Sequence, residues 1–398
     1  MRETVRWRNA VFAVFFAMGF GFASLAARFP TARDMLDISV DQLGLALLGI
    51  SVGSITGLAT ASHVIARLGT RVVMVTGASI IGVGLCVAGW GVEARSMPIL
   101  IGGLLVTGLS TGITDVAMNL SGAANERAIG RAIMPVFHAF FSFGTVAGAG
   151  YGALGEATGI GIGPQMTIYL VLVVGLAAVV RPHLVQQPIQ PEDHVGFKER
   201  LSVWTDARTW LIGGLVLGMA LTEGSANDWL TLLMVDGHDF DEVGAALAFA
   251  LFLTAMTAGR LAGVPLIERF GRVAMLRATA SLAAVGLVLV IVVDHQVVAL
   301  IGTAMWGLGA SLGFPIGMSA AADDARMATA RVGAVATIGY VAFLAGPPLL
   351  GFLGEHLGLR DAMWVVLAFV VLSLLTSAVA RERGTASGAP DPAVEARP

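Results

Sequence analysis

The chain repeats itself at an offset of about 200 residues, and no other feature narrows its possible folds as much. Asp41-Gln42-Leu43-Gly44 recurs as Asp241-Glu242-Val243-Gly244, Arg67-Leu68-Gly69 as Arg269-Phe270-Gly271, Gly84-Leu85 as Gly286-Leu287, and Gly108 with Gly112 as Gly309 with Gly313. Each copy holds six apolar runs. Read with a window of about 19 residues, the runs lie near 9–28, 42–66, 71–92, 98–122, 132–155, 162–180, 209–233, 243–266, 273–293, 297–320, 330–353 and 361–380. They are long enough to cross a hydrocarbon core of about 30 Å as helices and about twice as long as the strands of a transmembrane barrel. Hydrocarbon offers no partner to an unpaired backbone amide, so each run must be helical. Composition agrees: 56% of the 398 residues are hydrophobic and 13% charged, where a soluble domain has about 25% charged. The expected architecture is an all-α membrane protein of twelve transmembrane helices in two six-helix bundles, residues 1–180 and 209–383, with a cytoplasmic linker over 181–208 and a disordered tail over 384–398.

Arg2, Arg6 and Arg8 precede the first run, but its apolar part, Ala10–Ala27, is long enough for a retained span rather than a cleaved signal. With the N-terminus in the cytoplasm, every lysine and arginine except Arg28, Arg33, Arg95 and Arg360 falls at or near the inner face, the asymmetry that sets topology. Both termini are then cytoplasmic. The linker is rich in proline, with a short amphipathic stretch at Phe197–Trp204 suited to a membrane surface. The single cysteine, Cys86, lies mid-span, which rules out an intrachain disulfide and a cysteine metal cluster. Neither a phosphate loop, a two-histidine metal spacing nor a Gly-x-Ser-x-Gly elbow stands in a suitable context. The expectation is therefore no enzyme, no cofactor, no metal and no nucleic-acid partner.

The turn after the second helix of each copy carries a further pattern. The second copy reads VPLIERFGR, with Glu268, Arg269, Gly271 and Arg272; the first reads SHVIARLGTR, with Arg67, Gly69 and Arg71 but Ala66 in the acid's place. With six plus six helices and a long middle loop, the chain resembles the major facilitator superfamily over essentially its whole ordered length. NLSGAANERAIGRAIMPVFHAFFSFG and EGSANDWL look like a bacterial inner-membrane branch of permeases near the fucose-permease type. The resemblance implies the major facilitator fold, a monomer in the bacterial inner membrane, a small-molecule substrate, and protons and the lipid bilayer as further partners.

In transporters built from parallel repeats the substrate sits near the midplane between the halves, so polar residues deep in spans are the candidates. Asp115 and Asn119, four apart in helix 4, share a face. Counting from the expected helix ends puts Asp115 and His138 of helix 5 at about the same depth, roughly 10 Å in, so Asp115 or Asn119 is expected to meet His138, either to carry a proton or to hold helices 4 and 5 together. The repeat sets Ile316 and Ala320 opposite Asp115 and Asn119. In helix 7, Glu223 lies about 21 Å from the inner end and Asp228 about 7 Å beyond it; at 100° per residue the two carboxylates point about 140° apart and have separate roles. Glu223 is a candidate for substrate or proton binding. Asp228 and its repeat counterpart Arg28, beside Trp229, are expected to form a periplasmic gate, the alternative being separate interfacial charges with Trp229 in the aromatic belt. Arg260 is expected to snorkel or meet the Glu268 cluster. Glycines recurring every fourth residue suit closely packed helices, and Pro315 and Pro347-Pro348 are expected to break helices 10 and 11.

These residues point to a secondary active transporter moving a small organic solute, sugar-like or another metabolite, coupled to protons by alternating access. The alternative is a proton-driven drug or metabolite efflux antiporter; helix 5, FGTVAGAGYGALGE, lacks the Gly-Pro pair that such antiporters carry there. A membrane sensor that binds solute without moving it is a third reading.

Overall fold

In the computed structural model, which describes residues 2–130, 133–186, 202–323 and 327–381, a helix occupies the position of every apolar run. The first half comprises α1 (Arg2–Ala26), a short α2 (Phe29–Leu36), α3 (Val40–Leu68), α4 (Thr70–Glu93), α5 (Met97–Ile129), α6 (Met134–Thr158) and α7 (Ile162–Val180). The second comprises α8 (Ala207–His238), α9 (Glu242–Phe270), α10 (Arg272–Val292), α11 (Gln296–Ala310), α12 (Gly313–Ala321), α13 (Ala328–Leu357) and α14 (Leu359–Thr376). Among the described residues, ten helices are long and apolar enough to cross a membrane. The other two positions hold α6 and α8, 25 and 32 residues long. Most of the linker, with its amphipathic stretch up to residue 201, and the tail lie outside the described residues.

The first two of the repeated sequence pairs turn out to be helix start and stop signals. Ser39 and Gln42 form a capping box at the start of α3, and at the matching start of α9 the Asp241 carboxylate accepts from the Gly244 N–H at 2.8 Å. Both helices end on glycines with positive φ, Gly69 at 78° and Gly271 at 81°, a conformation that a side chain disfavours. The four-residue glycine stripes bring helices of the same half together. Gly53 and Gly57 of α3 lie against Gly108 and Gly112 of α5, and Gly144 and Gly148 of α6 against the backbone of α1 at Phe16 and Phe20.

Prolines act differently in the two helices where breaks were expected. Helix 10 is interrupted between α11 and α12, at Ser311, the residue whose carbonyl Pro315 cannot bond. Helix 11 does not break: α13 runs continuously through Pro347 and Pro348. Pro347 leaves the carbonyl of Phe343, four residues back, without its helical partner. Ser51 of α3 supplies one from the other half, its hydroxyl donating at 2.6 Å. A membrane helix keeps a proline when a neighbour satisfies the freed group in this way.

The halves meet where α3 packs on α13 and α6 on α9. Among the described residues four polar contacts join them, three toward the end opposite the chain termini, called here the far end, and the fourth, Ser51 with Phe343, near mid-bundle. Arg33 of α2 pairs with Asp236 of α8, Glu355 of α13 accepts from the Val40 N–H at 2.9 Å, Ser51 donates to Phe343 O, and Thr231 donates to Ala26 O at 3.3 Å. Burial opposes the charge of Arg33, but Asp236 and Asp34 outweigh it and hold the guanidinium above arginine's ordinary pKa. At the terminal end of the second half, Asp323 accepts from Arg208 at 3.0 Å and from Arg272 at 2.6 Å. At the same end of the first half, the repeat sets Arg8 and Gly122 opposite Arg208 and Asp323, and a neutral pair stands beside them, Trp7 donating to Ser121 at 3.0 Å.

Candidate functional site

The centre of the bundle is organised around an ion pair. Glu223 stands midway along α8, and Arg260 of α9 donates to both of its carboxylate oxygens, each at 2.9 Å. Side-chain exposures of 19% for Glu223 and 29% for Arg260 leave the pair open to a cavity within an apolar bundle. Trp306 of α11, fully buried, donates its indole N–H to the carbonyl of Thr222 at 3.0 Å and so fixes the backbone beside Glu223. Arg260 therefore neither snorkels nor reaches Glu268. An intramembrane cation is costly alone, and the carboxylate on the adjacent helix compensates it.

On the other side of the cavity, Asn119 donates to the Asp115 carboxylate at 3.2 Å and to its carbonyl at 2.8 Å. The expected meeting with His138 does not take place. His138 packs edge-on against Phe15, ring centroids 5.3 Å apart, and its charged neighbour is Arg260. The reason is depth: α5 continues to Ile129, which sets Asp115 about 21 Å from that end, while His138 is about 6 Å from the start of α6. Tyr340 of α13, not singled out by sequence, is close enough to Asp115 to interact with it electrostatically.

The far-end residues are also rearranged relative to expectation. Arg28 is 3% exposed, but its ion-pair partner is Glu156 of α6, and it also donates to Gln165 and to Ile160 O. It shows no bond to Asp228. Because α8 extends to His238, Asp228 lies inside the bundle rather than at the interface. Trp229 is fully buried, its ring between Gly44 of α3 and Gly351 of α13, so it belongs to the contact between the halves rather than to an aromatic belt. A Cβ on Gly44 would sit 2.7 Å from Pro347 O, so the close approach there requires glycine. The ion pair across the far end is Arg33–Asp236, which sequence reasoning did not single out.

In the turn motifs, Arg272 reaches Asp323, Arg269 lies over the Phe270 ring at 5.2 Å, and the Gln186 side chain covers Gly69 and accepts from the Arg71 N–H at 3.2 Å. Arg67 and Glu268 flank these contacts at the helix ends.

A family model described as Major Facilitator Superfamily matches residues 11–347. The chain belongs to the major facilitator superfamily. An uncharacterized MFS-type transporter of Yersinia pestis is 32% identical over 374 residues, covering 93% of this chain and 94% of that protein. Among solved structures, the nucleoside transporter NupG superposes with a TM-score of 0.75 at 13% identity, covering 95% of this chain and 98% of that one. The fucose:proton symporter FucP of E. coli gives 0.64 at 14% identity, covering 94% and 98%. These likenesses establish a multi-pass membrane protein of the major facilitator fold. In that fold α1 and α3–α7 correspond to the first six spans, and α8–α14 to the second six.

Proposed function

We propose that the chain is a secondary active transporter that moves a small organic solute, coupled to protons, across the bacterial inner membrane by alternating access. The terminal end carries most of the arginines and faces the cytoplasm. The observation behind the reading is a bundle joined at its far end by Arg33–Asp236 and by Glu355 with the Val40 N–H, with Glu223 and Arg260 partly exposed in its interior. Such an arrangement is the inward-facing state of a carrier. Residues 1–180 and 209–383 rock against each other about the α3/α13 and α6/α9 contacts. Glu223, Arg260, Asn119 and His138 line the path, and Asp115, whose only hydrogen-bond partner among the described residues is an amide, takes and releases the proton.

Thermal-shift screening of the purified protein against sugars, organic acids, amines and drugs identifies a solute, and reconstitution then tests the mechanism. Accumulation in proteoliposomes driven by an imposed proton gradient is expected, abolished by a protonophore and by Glu223→Gln, which leaves Arg260 without its counter-charge. Flux indifferent to both the gradient and Glu223→Gln sinks the proposal.

A further inference from the structure

Charge is divided unevenly across the cavity. On the side of the second half, Nη2 of Arg260 donates to both carboxylate oxygens of Glu223, while its buried Nε has no partner among the described residues. On the side of the first half, Asp115 receives only the Asn119 amide, and among the described residues no cation is paired with it. The charged and titratable groups facing this region are Tyr340 from α13, His138 from α6, Glu223 from α8 and Arg260 from α9. Arg260 is the one fixed cation among them, and it is engaged.

Aromatic surface stands beside the unmatched carboxylate. Tyr340 and Phe343 are paired on α13, ring centroids 6.5 Å apart and inclined by 48°. The Phe343 ring lies against Gly224, next to Glu223, where a Cβ would come within 3.2 Å of it. The ring pair therefore runs from the surroundings of Asp115, within electrostatic reach of Tyr340, to those of Gly224, where Phe343 lies. A carboxylate with open acceptor positions and adjacent ring faces matches a protonated amine, which gains charge-assisted hydrogen bonds from the first and cation–π attraction from the second. An anionic solute fits less well. Beside Arg260 it meets the like charges of Glu223 and Asp115, which disfavour a second anion in a partly desolvated site.

We propose that Asp115, Asn119, Tyr340 and Phe343 bind the ammonium group of an organic monocation, and that this ammonium and the transported proton compete for Asp115. This rests on the reading of the chain as a proton-coupled carrier and specifies how the coupling works. One carboxylate cannot hold both, so the arriving ammonium displaces the carboxyl proton to cavity water, and reprotonation at the other face releases the solute. Solute and proton then move in opposite directions.

The test uses the full chain, purified in detergent and titrated calorimetrically with amines and their uncharged counterparts: ethanolamine with ethylene glycol, glucosamine with glucose, phenethylamine with phenethyl alcohol. At least one amine is expected to bind where its counterpart does not, releasing protons as shown by the dependence of the heat on buffer ionisation. Its affinity should weaken as pH falls, by up to about tenfold per unit where Asp115 is protonated in the free protein, because protons compete for the carboxylate. Asp115→Asn is expected to lower the affinity by about thirtyfold or more, the cost of removing one member of a desolvated charge pair, and to abolish the pH dependence. Tyr340→Ala weakens amine binding but keeps the pH dependence, a split that general loss of fold would not produce. Binding confined to neutral or anionic compounds, no binding by any amine, or amine binding unchanged by Asp115→Asn overturns the proposal. Proton-driven flux of a neutral solute would remove this inference and leave the carrier reading intact. Amine binding lost in Asp115→Asn, without proton-driven flux of any solute, would do the reverse.

Discussion

Removing the hydroxyl of Ser51 should loosen the contact between the two halves, and with it the closure of the far end. Ser51 is 6% exposed, and its hydroxyl lies 2.6 Å from the Phe343 carbonyl that Pro347 cannot serve. In Ser51→Ala this buried acceptor has no partner, at a cost of about 1–3 kcal/mol. The cost falls on the closed arrangement, because separation of α3 from α13 opens the carbonyl to water. A differential effect of that size shifts the balance between closed and open far ends by about 5- to 150-fold. Spin labels on the exposed far-end residues Ala94 and His295, in a background with Cys86→Ser, report the separation by pulsed electron resonance; Ser51→Ala should enlarge the long-distance population. Pro347→Ala supplies the missing N–H within α13, so in that background Ser51→Ala should have little further effect. An unchanged distance distribution in Ser51→Ala, or an equal shift with and without Pro347, refutes the reasoning.

Other outcomes follow from the same structure. Reversing charge at Arg33 or Asp236 alone should shift the same label distances toward opening, by less than about tenfold since such pairs are partly solvated, and the double reversal Arg33→Asp with Asp236→Arg should recover most of the closed population. Charge reversal at Arg28 should be rescued by Glu156→Arg and not by Asp228→Arg, measured as folded yield and thermal midpoint, because Glu156 is the partner present. Asp323→Asn leaves Arg208 and Arg272 without their shared carboxylate and should destabilise the second half by about 3 kcal/mol, lowering its midpoint in thermal unfolding. Trp229→Ala empties a fully buried site between the halves and should cost about 3–5 kcal/mol, whereas Trp229→Phe should cost far less because the indole N–H has no partner to lose.

The positions of the spans were legible because twenty consecutive apolar residues admit one solution in a bilayer. The repeat was legible for local reasons, since its matching residues are the caps and glycine stops of α3 and α9 and the mid-helix glycines where neighbouring helices pack closely. Depth was read less well. The ends of α5 and α8 remain helical where SGAANERAI and MVDGH turn polar, so counting from apolar boundaries set Asp115 too shallow and Asp228 too near the interface. The Glu223–Arg260 pair lay within reach as two lone opposite charges in consecutive antiparallel spans, but sequence does not fix the rotation of α8 against α9. The Ser51 contact is with a backbone carbonyl and leaves no side-chain pair to recognise; its only trace in sequence is Pro347. Arg28 and Asp228 are symmetric in the repeat, yet symmetry of position does not bring two side chains together when Glu156 stands nearer.

The central claim is that movement of solute and of protons is a single coupled event through Asp115. Proteoliposomes loaded with a pH-sensitive dye, held without an initial pH gradient and given a gradient of the identified solute, test it most directly. The account predicts solute-driven proton movement across the membrane in the wild-type protein and none in Asp115→Asn. Solute crossing at wild-type rates with no change in internal pH would contradict it.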